Sequence, residues 1–147
     1  MTSDLKGRCL CGAVKYSANV EPEVVVHCYC EDCRRTSGTT HGTHVGVPTH
    51  AVTLSGSLSS FDKPADSSNI VSRHFCGTCG SAIFSTNSAM DGMTFLRASS
   101  LDDPDLVRPQ MTVYASRAPE WALMDRSGPV FEKMPTTIPG APAAAHD

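Results

Sequence analysis

The sequence predicts a mainly β domain of short strands. Three observations carry that reading. Apolar residues come in short runs or alternate with polar ones, and little of the chain shows a helical period. Eleven glycines and ten prolines punctuate these runs. At 147 residues the chain has the length of one domain with one core.

The elements follow in chain order. Residues 1–6 read as a terminal tail. Arg8-Cys-Leu-Cys11-Gly-Ala-Val-Lys-Tyr16 reads as a turn feeding an alternating strand. Val24–His27 is a β-branched run, expected as a buried strand that delivers Cys28 and Cys30. Cys30–Ser37 suits one or two helical turns, with Gly38 at the position that favours positive φ. Short strands are expected around Val45–Pro48, Ala51–Leu54 and Ser57–Phe61, then a polar loop over Asp62–Asn69 containing Pro64. Ile70–Phe75 and Ala82–Phe84 flank Cys76-Gly-Thr-Cys79-Gly80 as a hairpin. Met93–Arg97 and Gln110–Tyr114 are further strands, joined through the turn-rich Leu101-Asp-Asp-Pro104. The domain is expected to end at Pro135, and the Pro/Ala-rich residues 136–147 read as a disordered tail.

A formal charge of −3 with interspersed signs and no basic stripe argues against nucleic acid or an anionic membrane surface as partner. No apolar run approaches the ~18 residues of a membrane span, and the N-terminus lacks the apolar stretch of a secretion signal. A cytoplasmic setting is therefore expected, where thiols stay reduced and clustered cysteines read as metal or catalytic groups. Their odd number, seven, also disfavours complete disulfide pairing.

Those seven fall in three clusters: Cys9-x-Cys11, Cys28-x-Cys30-x-x-Cys33 and Cys76-x-x-Cys79. A C-x-x-C knuckle sets two thiolates around one tetrahedral ion and takes its other pair from elsewhere in the chain. Cys9 and Cys11 are the natural partners of Cys76 and Cys79, with Gly7 and Gly12 permitting the strand to kink. Cys28, Cys30 and Cys33 would then hold a second ion with one position open, the arrangement of a catalytic zinc. A site of this kind stays net anionic, which Arg34 and Arg35 are placed to offset. Alternatives remain at this level. His27, His41 or His44 could close the second site as a fourth ligand. Cys30 and Cys33 could be a redox dithiol, and the clusters could pair differently. His27 lies on an apolar strand and reads as structural, and Trp121, the only tryptophan, as a core residue.

Four blocks in order, Gly7-x-Cys-x-Cys-Gly-Ala-Val-x-Tyr16, His27-Cys-x-Cys-x-x-Cys-Arg-Arg-x-Ser-Gly38, Arg73-x-Phe-Cys-x-x-Cys-Gly-Ser81 and Ser100-Leu-Asp-Asp-Pro104, resemble the glutathione-dependent formaldehyde-activating enzyme family, to which centromere protein V is related. The resemblance covers Gly7 to about Pro135 and includes every cysteine. One departure is Ala98-Ser-Ser100, where relatives often carry a glycine-containing turn. The resemblance implies a β-tent of short antiparallel strands, structural zinc on Cys9, Cys11, Cys76 and Cys79, and catalytic zinc on Cys28, Cys30 and Cys33. It implies a carbon–sulfur lyase-type activity, similar to S-(hydroxymethyl)glutathione synthase, that joins a small thiol such as glutathione to an aldehyde such as formaldehyde. A thiol of ordinary pKa is about 3% ionised at neutral pH, so metal coordination would raise its thiolate population roughly thirtyfold. Glutathione carries two carboxylates, for which Arg34, Arg35, Arg73 and Arg97 are the candidate partners. A zinc-stapled binding module without this activity is the competing reading.

Overall fold

The computed structural model describes residues 4–135. Among these residues ten strands form two sheets, linked by short loops, one helix and several single 3₁₀ turns. The smaller sheet has the order β1-β2-β5, from Asp4–Arg8, Lys15–Asn19 and Val52–Ser55. The larger has the order β10-β3-β4-β9-β8-β7-β6. Its strands are Val24–Cys28 (β3), Gly42–Pro48 (β4), Leu58–Pro64 (β6), Ile70–Cys76 (β7), Ala82–Asn87 (β8), Met93–Arg97 (β9) and Met111–Val113 (β10), with helix α1 at Glu31–Arg35.

Among the described strands, all strand pairings are antiparallel except one. β10 runs parallel to β3, with Met111 opposite Val26 and Val113 opposite Cys28. That departs from the all-antiparallel expectation. A parallel pair needs a long crossover, and everything between β3 and β10 supplies it.

Two apolar cores result, and β3 stands between them. Its alternate side chains point to opposite faces. Val25 packs with Leu5, Tyr16, Val45, Ile83 and Leu96 between the two sheets. Val24, Val26 and Cys28 pack on the other side with Met111 and Val113. The β-branched run is therefore buried throughout (Val24–Val26) because both of its faces are covered. Cys9 and Cys76 belong to the first core, and Cys28, Cys30 and Cys33 to the second.

Two boundaries and the burial expected for Trp121 differ from the sequence reading. Asp4–Lys6, expected in the tail, form the first part of β1, and Leu5 is fully buried. Its single inward leucine within a polar stretch is too weak a pattern to read alone. Asp62–Pro64, expected in a loop, continue β6, where Pro64 pairs with Ile70. β6 is an edge strand, and an edge tolerates the missing N–H of proline. Trp121 is 70% exposed. It lies beyond the last strand, in an irregular segment whose later part binds β10 through Phe131 N to Thr112 O at 2.8 Å and Thr112 N to Pro129 O at 3.0 Å. Residues 136–147, expected as a disordered tail, lie outside the described residues. Among the described residues no helix is long and apolar enough to cross a membrane.

Candidate metal centres

The seven cysteines gather into two groups. The sulfurs of Cys9, Cys11, Cys76 and Cys79 lie within 4.8 Å of one another, and so do those of Cys28, Cys30 and Cys33. This is the partition expected from the knuckle spacing. Among the described residues no buried side-chain nitrogen or oxygen lacks a hydrogen-bond partner, so the thiol clusters are where ligand chemistry remains open.

The four-sulfur group is assembled from two turns. A bulge between His74 and Phe75 shifts the register of β7 just before Cys76, and bulges of this kind re-aim the following side chain. The knuckle closes with Gly80 N bonding Cys76 O at 2.8 Å, and Gly80 has φ +80, a conformation glycine adopts without steric penalty. On the other turn, Cys9 Sγ lies 3.6 Å from Cys11 Sγ, and Cys11 Sγ 3.8 Å from Cys76 Sγ. Gly12 takes the positive φ that turns the chain there. Gly7 serves differently from the expected kink: a Cβ at this position would collide with the Tyr16 ring and lie 2.6 Å from the Ser100 carbonyl oxygen.

N–H groups already point at these sulfurs. Val14 N donates to Cys9 Sγ at 3.2 Å and Thr78 N to Cys76 Sγ at 3.4 Å. Ser81 Oγ accepts from Leu10 N at 2.9 Å, which leaves its proton for Cys79 Sγ at 3.2 Å. That hydroxyl is the main reason the Cys79 thiol is lowered to about 5. Donors directed at sulfur favour thiolate, the state a metal ligand requires.

The three-sulfur group sits at the start of α1. Cys30 caps the helix, its sulfur accepting from Cys33 N at 3.3 Å, and Cys28 ends β3. Hydrogen bonds from Cys28 and then Cys33 push Cys30 down to about 2. Cys28 is held well above the thiol range, first by its hydrogen bond to Cys30. Without a cation, one proton-poor sulfur is thus stabilised by its two neighbours. Full ionisation of the cluster calls for a positive ion among the sulfurs.

Of the three candidate histidines only His44 reaches this group, with Nε2 3.3 Å from Cys33 Sγ. Among the described residues no histidine lies close enough to all three sulfurs to join them. Burial, and then Arg97, depress His44 to about 3, so it faces Cys33 as a neutral ring. His27 bonds Thr43 Oγ1 at 2.8 Å, as its structural reading expects. His41 stacks on Tyr29 and meets His27 edge-on.

The three cysteines line a cavity of about 100 Å³ together with His44, Arg73, Ser85, Thr86, Asn87 and several apolar residues. Neither Arg34 nor Arg35 lines it. Arg35 pairs with Glu31 at 2.8 Å on the exposed side of α1. Arg73, one of the four candidate arginines, is the one that enters the cavity. Arg97 is buried and bonds Thr36 at 3.2 Å through both terminal nitrogens. A wider concavity, about 770 Å³, lies beside the four-sulfur group, lined by Arg8, Arg35 and Arg97 among others, and contains none of the three cysteines. Sequence reasoning did not mark Met90, Tyr114 or Met134, which also line the cysteine cavity. A φ of +56 at Tyr114 has no signal in composition or spacing.

A family profile described as "Glutathione-dependent formaldehyde-activating enzyme" matches residues 4–117. The chain belongs to this family. A protein of Halomonas elongata named "Putative glutathione-dependent formaldehyde-activating enzyme" is 31% identical over 125 residues, covering 80% of this chain and 78% of the relative. The crystal structure of a Rhodobacter sphaeroides protein is similar in fold, with a TM-score of 0.55, 21% identity, and coverage of 71% of this chain and 96% of that one.

Both donor sets suit a thiophilic ion. Four thiolates complete a tetrahedral site, and three leave a position for a further ligand. The cavity adjoins the group with the missing ligand.

Proposed function

We propose that the chain is a zinc-dependent carbon–sulfur lyase-type enzyme that joins a small thiol, of which glutathione is the leading candidate, to an aldehyde such as formaldehyde. The observation that carries this reading is the three-sulfur group facing a cavity, beside a second group whose four sulfurs complete a tetrahedral ligand set. Zinc is the ion this all-thiolate chemistry favours. Cys9, Cys11, Cys76 and Cys79 would hold the structural ion, and Cys28, Cys30 and Cys33 the second. When bound there, zinc supplies acidity, keeping a cosubstrate thiol ionised at neutral pH.

The protein's own groups do the rest. A polar groove of about 120 Å³ also reaches Cys30, lined by Glu31, Asp32, Lys63, Asp66, Tyr114 and Arg117. Its mixed charges suit a zwitterionic peptide thiol: Arg117 would meet a carboxylate and Asp66 the ammonium, while Lys63 and Asp32 neutralise each other in the groove wall. These residues, rather than Arg34 and Arg35, are assigned to the cosubstrate. Lys63 bridges to both Asp32 oxygens at 2.8 and 2.9 Å, which ties β6 to α1 and fixes the groove wall. Holding the aldehyde carbon against sulfur converts a bimolecular encounter into a local one. Arg73 is placed to hydrogen-bond the oxygen that becomes negative as sulfur adds, in a site whose apolar walls strengthen that interaction. Burial keeps His44 neutral, so it orients Cys33 without adding charge.

The test is the rate of exchange between free formaldehyde and its glutathione adduct, measured by NMR exchange spectroscopy with zinc-loaded protein. The reading expects acceleration above buffer and its loss in Cys30→Ala. Acceleration absent from the intact protein favours the zinc-stapled binding module instead, and acceleration retained in full by Cys30→Ala would take the three-sulfur group out of the reaction.

A further inference from the structure

Cys30 and Tyr114 face two cavities of opposite character. On one side is the charged groove. On the other is the chamber above the three cysteines, walled by Val26, Val71, Met90, Phe95, Val113 and Met134. Tyr114 divides them. Its backbone is left-handed, with φ 56 and ψ 36, a conformation disfavoured for an aromatic residue. It is held there by the C-terminal segment, with Ala115 N bonding Phe131 O at 3.0 Å, and by the following turn, with Arg117 N bonding Tyr114 O at 3.0 Å.

Formaldehyde has no substituent that would use such walls. We propose that the chamber is the aldehyde subsite and that it selects unbranched aliphatic aldehydes of about two to four carbons, given ~30 Å³ for each water-sized group in a space of about 100 Å³. This rests on the thiol–aldehyde reading above and names its substrate class. The thiol enters from the charged groove, and the aldehyde tail lies against Met90, Val71 and Phe95. Sulfur forms a bond to the carbonyl carbon, and the C=O π pair moves to oxygen. That oxygen takes up the proton released by the thiol. The sum is one thiol and one aldehyde giving one hemithioacetal, with no oxidant or reductant. Each methylene buried against the walls improves binding about fourfold.

Two measurements test the subsite. In the first, zinc-loaded full-length protein carrying ¹³C-methyl methionine is titrated with 1-propanol and 1-butanol, unreactive mimics of the tail. The Met90 and Met134 methyl signals should shift, and methanol should leave them in place. In the second, KM is measured with glutathione for formaldehyde, acetaldehyde, propanal, butanal and glyoxylate. KM should fall by about fourfold per added carbon through propanal. Met90→Phe, which fills the chamber, should raise the butanal-to-formaldehyde KM ratio by about tenfold or more, and Met90→Ala should move the optimum to longer chains. Accelerated formaldehyde exchange with a flat KM series and unmoved methionine signals would overturn the subsite alone, as would a preference for glyoxylate. No acceleration with any aldehyde would overturn both the subsite and the activity it rests on.

Discussion

Gly7→Ala asks how firmly the fold holds the four-sulfur group, because Gly7 lies two residues before Cys9. Gly7 pairs with Tyr16 across β1 and β2, and an added Cβ collides with that ring and sits 2.6 Å from the Ser100 carbonyl oxygen. The ring has nowhere to go. Its hydroxyl is hydrogen-bonded to Ser100 Oγ at 2.7 Å in a buried position, and the opposing carbonyl belongs to a 3₁₀ turn, Ala98–Ser100. Overpacking of this kind costs about 1–3 kcal/mol. Weakening the Tyr16–Ser100 hydrogen bond adds about 1 kcal/mol, and the lower unfolded-state entropy of alanine returns about 0.5–1 kcal/mol. A net loss of about 1–3.5 kcal/mol follows, centred near about 2 kcal/mol. With an m-value of about 1.5 kcal/mol/M, the urea midpoint falls by roughly 0.7–2.3 M. Gly38→Ala is the control: φ is +82 and nothing lies within 4 Å of the new Cβ. Only backbone strain of about 1 kcal/mol remains there. Urea denaturation followed by circular dichroism on the zinc-loaded protein reads both. Equal midpoint shifts for the two variants, or a Gly7→Ala shift below about 0.5 M, would refute the steric argument.

The other predictions concern the metal groups, the cavity arginine and pH. Cys76→Ala opens the four-sulfur site, whose assembly contributes on the order of 10 kcal/mol, so unfolding or aggregation is expected; a soluble variant of normal stability would contradict the structural role. Cys30→Ala is expected to keep the wild-type circular dichroism spectrum and lose one zinc by elemental analysis, and global unfolding would make that site structural as well. Arg73→Gln should slow adduct formation about 10²-fold with zinc content unchanged, and a rate within threefold of wild type would remove Arg73 from the reaction. Burial raises Tyr16 to about 12, against the opposing hydrogen bond from Ser100. The unfolded chain, with a pKa of about 10, therefore loses this proton first. The stability tied to the neutral phenol is complete below pH ~10 and declines towards pH ~12, by about 2–3 kcal/mol. Tyr16→Phe should flatten that alkaline slope in denaturation measured across the range, and an unchanged slope would show that another group controls it.

The metal groups were legible because knuckle spacing is local. C-x-x-C limits where two sulfurs can go, and the clustered third cysteine leaves few ways to place the remaining pair. β3 was legible from Val24–Val26, whose β-branched run suits a strand covered on both faces. The cavity was not. Arg34 and Arg35 were favoured by adjacency to Cys33, but the exposed side of α1 carries Arg35 to Glu31. Arg73, forty residues after Cys33 in the chain, lines the same cavity as the sulfurs from β7, four places from β3 in the sheet order. Met90 and Met134 come from a turn and from the segment beside β10, joined only by tertiary packing. Tyr114 owes its left-handed backbone to contacts with that segment, which no local propensity encodes. The parallel β10–β3 pair depends likewise on where the rest of the chain runs.

The central claim is that the three-cysteine group holds zinc with a position open to a thiol, and metal content before and after millimolar glutathione tests it most directly. Protein purified in zinc is predicted to carry two zincs per chain by elemental analysis. Zinc-edge X-ray absorption should then show glutathione adding sulfur to one of them while the other, already ringed by four sulfurs, stays unchanged. One zinc per chain, or two whose sulfur ligation is indifferent to glutathione, would contradict it.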